Sequence, residues 1–100
     1  ESYEFKLENK NITFSKRKKN AQIKLFSKSK LSLITVLIPK LNEKIDVKSS
    51  DGHNFIIELP NLKTAGMYTF SIYLNDNLLA DGLSFTAKNT DFGMNDKFKL

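Results

Sequence analysis

From Gly66 onward the chain repeats with a period of two. Tyr68, Phe70, Ile72 and Leu74 fall on one side, and Thr69, Ser71, Tyr73 and Asn75 on the other. Successive side chains of a strand point to opposite faces, so this pattern suits an extended segment with one face buried. The same alternation returns in Ala21, Ile23 and Leu25 against Gln22, Lys24 and Phe26, in Phe55, Ile57 and Leu59, and in Leu83, Phe85 and Ala87. No stretch combines helical spacing with capping residues. The chain is therefore expected to be all-β.

The punctuation between these runs predicts the remaining elements. Tyr3 to Phe14 reads as one loosely alternating segment, closed by the polar turn Ser15 to Asn20. Leu31 to Ile38 is almost continuously apolar, and Ile34, Thr35, Val36 and Ile38 are β-branched, which suits a central strand ended by Pro39. Ile45 and Val47 form a short strand. Asp51-Gly52 then predicts a hairpin into Phe55 to Leu59, which Pro60 ends. Asn75-Asp76-Asn77 is a turn, and Asp81-Gly82 predicts a bulge in the last strand. The total is about seven strands spaced roughly 8 to 12 residues apart, the pattern of an immunoglobulin-like β-sandwich of antiparallel strands. Residues 1–88 are assigned to this sandwich. Residues 89–100 are assigned to a polar tail or linker in which Phe92, Met94 and Phe98 stand alone.

At 100 residues the chain is long enough for one core without staples. It has no cysteine, which excludes disulfides, a thiolate zinc site and a cysteine nucleophile. No apolar run approaches the roughly 20 residues of a membrane-spanning helix. The acidic start Glu1-Ser2-Tyr3-Glu4 is not that of a signal peptide. The net charge of +5 favours anionic partners.

Little in the chain speaks for catalysis. The single histidine, His53, follows Ser50 and Asp51, but residues crowded into one turn do not converge as a nucleophile, base and orienting acid must. Metal-ligand spacing and a phosphate loop are both missing from the sequence. No enzyme activity, cofactor, metal or small-molecule substrate is expected. Lys16, Arg17, Lys18 and Lys19 are consecutive, and between Lys6 and Lys30 the only acid is Glu8. Such a loop either is plainly solvated or contacts a polyanion or an acidic membrane surface. Asn11-Ile12-Thr13 is an N-glycosylation triplet, relevant only in a secreted eukaryotic protein.

Asp51-Gly52, Phe55 to Pro60, Ala65-Gly66-Met67-Tyr68, the strand to Leu74, the turn Asn75 to Asn77 and Ser84-Phe85 together resemble the C-terminal half of a filamin-type immunoglobulin-like repeat. Gly82-Leu83-Ser84-Phe85 lacks that family's proline, the loop before Ala65 is longer, and residues 1–48 match only as generic strands. Independently of the resemblance, Tyr68 is placed to form a tyrosine corner, with its ring in the core and its hydroxyl on a backbone carbonyl. Gly66 supplies positive φ before it, and Phe70 and Phe85 are further structural residues of the core.

The resemblance implies that a partner strand is accepted along the segments Leu31 to Ile38 and Lys44 to Val47. Both faces of the first segment are apolar. The expected contact residues are Leu31, Leu33, Ile34, Val36, Leu37, Ile45 and Val47. The function expected first is a non-enzymatic interaction or repeat module of a larger structural, adhesive or assembly protein, at a cell surface or in a cytoskeleton. A polyanion- or membrane-surface-binding module acting through Lys16 to Lys19 comes second, and a passive spacer third.

Overall fold

Eight strands follow one another: β1 (Phe5–Leu7), β2 (Asn11–Phe14), β3 (Ala21–Ser27), β4 (Leu33–Ile38), β5 (Glu43–Lys48), β6 (Asn54–Leu59), β7 (Gly66–Leu74) and β8 (Asn77–Asn89). A computed structural model describes residues 3–18, 20–60 and 62–91. The strands form two sheets, one of three strands in the order β1-β3-β6 and one of five in the order β2-β8-β7-β4-β5. All pairs are antiparallel except β2 with β8, which is parallel. The domain is thus all-β, with two sheets enclosing one core.

Alternation sets which side chains enter that core. In β3 the pattern is strict, with Ala21, Ile23, Leu25 and Ser27 buried and the residues between them exposed. Phe55, Ile57 and Leu59 of β6 join them, and across the interior stand Ile34, Val36 and Ile38 of β4 with Tyr68, Phe70 and Ile72 of β7. Phe85 and Ala87 of β8 and Ile12 and Phe14 of β2 close the far side. Each fully buried aliphatic or aromatic side chain contributes about 1.5–3 kcal/mol.

The sequence reading of about seven antiparallel strands gives way to eight with one parallel pair, because the first segment splits, and two segments are placed otherwise than it expects. Residues 3–14 are not one strand but two, in different sheets. Asn9 makes the change: its Nδ2 donates to the Gln22 carbonyl at 3.0 Å, and its Oδ1 accepts the Lys24 N–H at 2.7 Å. The carboxamide takes the place of a backbone unit beside β3 while the main chain crosses to β8, where Lys10 O accepts the Thr86 N–H. Asp51-Gly52, in turn, does not close a hairpin. It carries the chain from β5, paired with β4, to β6, paired with β3. Asp51 Oδ1 accepts the N–H groups of His53 and Asn54, both at 2.9 Å, and Gly52, at φ +85°, offers its carbonyl to Leu31 N–H. The local turn chemistry is that of an Asx turn, and it serves a crossover between sheets as well as a hairpin.

Asn75 and Asp76, both at positive φ, form a two-residue turn joining β7 to β8. In β8, Asp81 and Gly82 together oppose Ser71, a bulge fixed by Asp81 Oδ1 accepting from Ser71 Oγ and Gly82 N–H. Those two bonds hold the Asp81 carboxyl below its usual range, the Ser71 hydroxyl chiefly. Asn89 lies within β8, and Thr90 Oγ1 donates to Phe14 O. Phe92, Met94 and Phe98 lie outside the described residues.

Candidate functional site

The outer face of the larger sheet can be laid out from the register. Asp46 of β5 stands opposite Thr35 of β4, Thr35 opposite Tyr73 of β7, and Tyr73 opposite Leu78 of β8. Thr35 Oγ1 donates to Asp46 Oδ1 at 2.7 Å, tying the edge strand to its neighbour. Leu33 and Leu37 flank Thr35 on the same face, both half-buried. Leu78 is 53% exposed. Four apolar side chains therefore share one outer face, and Leu37, Tyr73, Lys44 and Asp76 line a hollow of about 240 Å³ on it. Among the described residues no strand pairs with the far side of β5.

The residues expected to contact a partner separate into two sets. Ile34 and Val36 are fully buried, and Val47 and Leu31 nearly so. Ile45 is opposite Val36, hence on the inner face, and packs against the core from the sheet margin. Only Leu33 and Leu37 stand outward. An apolar run with both parities filled does not say which parity meets the core, and Leu31 precedes β4 and turns inward. β4 itself is paired on both sides, so the free ladder groups belong to β5. Tyr73 and Leu78 join the patch because β7 and β8 lie beside β4. The alternation of β7 had already set Tyr73 opposite in sense to Ile72.

A second apolar spot lies on the outer face of the smaller sheet. Phe26 and Ile56 are 38% and 51% exposed and sit diagonally across the β3–β6 pair. The Phe26 ring stacks on His53 at 5.9 Å between centroids. His53 Nδ1 lies 2.8 Å from the Ser27 carbonyl, so that nitrogen carries the proton and donates. The ring is thereby turned to Ser27, while Asp51 is occupied by Ser49 Oγ, by the Asn54 side chain and by backbone N–H groups. These bonds, that from the Asn54 N–H foremost, hold the Asp51 carboxyl far below the usual range.

The basic stretch lies in the β2–β3 loop, with Lys16, Arg17 and Lys18 exposed and Lys19 outside the described residues. Its backbone is fastened: Lys16 N–H donates to Asp91 Oδ2 at 2.8 Å, and Ser15 and Lys18 exchange two bonds. The ion pair of Lys28 with Glu4, at 3.5 Å, is the only one among the described residues.

Tyr68 is 1% exposed, and its hydroxyl donates to Thr64 O at 2.5 Å. Burial raises the phenol's pKa, and the bond to Thr64 opposes that rise. The ring lies parallel to Phe85 at 5.2 Å, Phe70 packs on the other side of Phe85 at 6.0 Å, and Lys40 Nζ stands 4.4 Å over the Tyr68 centroid. Gly66 has φ +130°. Tyr68, Phe70 and Phe85 thus pack together in the interior, with Gly66 at the start of β7.

Fold and surface define a two-sheet all-β domain of the sandwich type in which β5, among the described residues, is an edge strand beside a partly apolar outer face. The chain belongs to the family described as "Domain of unknown function (DUF7862)", which matches residues 3–90. No curated protein and no solved structure matches it.

Proposed function

We propose that this domain is a non-enzymatic protein–protein interaction module of immunoglobulin-like type, whose partner adds a strand to β5 and lays side chains across β4, β7 and β8. The observation that carries this reading is the coincidence of a six-residue edge, unpaired among the described residues, with Leu33, Leu37, Tyr73 and Leu78 on the adjoining face. Ladder bonds to the edge supply affinity, and the hollow between Leu37 and Tyr73 takes one anchoring side chain. Lys44, Asp46 and Lys48 alternate along the outward face of β5, which favours a partner strand with acids opposite the lysines. The strand order, with β1-β3-β6 against β2-β8-β7-β4-β5 and a parallel β2–β8 pair, supports the immunoglobulin-like reading. β4 is already capped by the chain's own β5, so the partner strand is placed on β5.

The test is capture from an extract of the source organism by the wild-type domain, Leu37→Lys, Leu78→Lys, and a variant with Ser at Lys16, Arg17, Lys18 and Lys19. A specific protein retained by wild type and by the loop variant, and lost from both leucine variants at unchanged melting temperature, is the expected result. Equal retention by all four overturns strand-edge recognition. Retention of nothing specific makes the domain a spacer.

A further inference from the structure

Away from that face, a polar cleft of about 520 Å³ opens between β2, the other edge of the larger sheet, and β3 of the smaller one. It owes its existence to the sheet change at Asn9. The main chain leaves β3 there, and only the Asn9 side chain continues the contact, so the two sheets part at this margin. A volume of this size is in the range of ligand sites, but most such sites are lined by apolar groups. In this one Ile12 and Ala21 form part of the lining, and Asn11, Thr13, Lys18, Asn20 and Lys24 supply polar groups beside them.

Among the described residues none of those five side chains has a hydrogen-bond or ion-pair partner within the chain. Two carboxamides, a hydroxyl and two ammonium groups are thus available to a ligand. The other three polar residues of the lining are already engaged: Asn9 is bonded to β3, and Gln22 Nε2 donates to Glu58 Oε2 at 2.5 Å. Lys18 and Lys24 outnumber Glu58, so the lining of the cleft carries a net positive charge. The backbone that presents Lys18 is fixed by its two bonds with Ser15, and the wall at Asn9 is fixed by its bonds to β3. The backbone around Lys18 and the Asn9 wall are thus set before a ligand arrives, which lowers part of the ordering cost of binding.

We infer that this cleft binds an acidic oligosaccharide. Carboxamide and hydroxyl groups match ring hydroxyls, which both donate and accept, and the two lysines match a carboxylate or sulfate on the sugar. Single-stranded nucleic acid is the poorer fit, because no aromatic ring lines the cleft to stack a base. Asn11 is also the asparagine of the glycosylation triplet, so a glycan attached there and a ligand bound here exclude each other. The site is independent of the β5 edge, at the opposite margin of the same sheet.

The experiment follows backbone and side-chain amide resonances of the labelled full chain during titration with three tetrasaccharides, one sulfated, one carrying carboxylates only, and one neutral. Inorganic polyphosphate is the non-sugar control. The expected result is saturable shifts of the Asn11 and Asn20 side-chain amides with one or both acidic sugars and none with the neutral sugar. Which acidic sugar acts distinguishes sulfate from carboxylate recognition. Lys24→Gln and Asn11→Ala, both exposed substitutions, are each expected to weaken binding by about tenfold, a loss of about 1.4 kcal/mol. Shifts confined to Lys16 and Arg17 and reproduced by polyphosphate overturn the inference, as does binding that both variants leave unchanged.

Discussion

Tyr68→Phe isolates a single bond at the centre of the fold. The substitution keeps the ring against Phe85 and beneath Lys40, and removes only the hydroxyl that donates to Thr64 O. A neutral hydrogen bond contributes about 0.5–1.5 kcal/mol net, and a buried acceptor left unsatisfied costs about 1–3 kcal/mol more. Thr64 is an exposed residue, and with water replacing the hydroxyl at its carbonyl the second cost does not arise. The expected loss is therefore about 1 kcal/mol. With a urea m-value of about 1–3 kcal/mol/M, the unfolding midpoint falls by roughly 0.3–1 M. The melting temperature falls by about 4–8 °C for a domain of this size. Tyr68→Ala removes the ring as well and is expected to cost about 3–5 kcal/mol, as for other large core aromatics. Urea titrations of the three proteins followed by circular dichroism measure both differences. If Tyr68→Phe matches wild type within about 0.3 kcal/mol, or costs as much as Tyr68→Ala, the hydroxyl does not have the role assigned to it.

Glycine positions give a paired comparison. A Cβ at Gly52, where φ is +85°, would stand 2.5 Å from Lys30 Cγ, whereas at Gly82, with φ +73°, it would meet nothing within 4 Å. Gly82→Ala should cost only the left-handed backbone strain, about 1–2 kcal/mol. Gly52→Ala should cost more, and Lys30→Ala in the same chain should restore the excess; equal losses at both glycines would refute the packing argument. Asp51 predicts an acid-labile crossover. Its carboxyl is held below its unfolded pKa of about 3.9, so the stability it contributes is present above that pH and is lost as pH falls toward the folded value. Thermal melts from about pH 5 to 2 should therefore fall more steeply for wild type than for Asp51→Asn, and parallel profiles would count against it.

Much of the strand content was legible because burial of one face imposes a period of two. The alternations of β3, β6 and β7 identify their buried residues by parity alone. Asn75-Asp76 and Asp81-Gly82 were legible because residues tolerating positive φ mark turns and bulges. The candidate site was legible only in part. In β4 both parities are apolar, and alternation alone does not say that Val36 meets the smaller sheet while Leu37 faces outward.

By itself, then, the sequence determined that the chain is all-β, free of disulfides, basic in one loop, and carries Tyr68 just after a glycine at positive φ. Those properties reside in single residues or in nearest-neighbour periodicity. The tertiary structure alone decided that β1 and β2 part at Asn9, that Asp51-Gly52 crosses between sheets, and that β5 seals β4 while leaving its own edge open. Such pairings join residues far apart in the chain, and the same alternating pattern satisfies either sheet. It is the competition among all strands for ladder partners that selects one arrangement, and with it the two margins on which function is proposed.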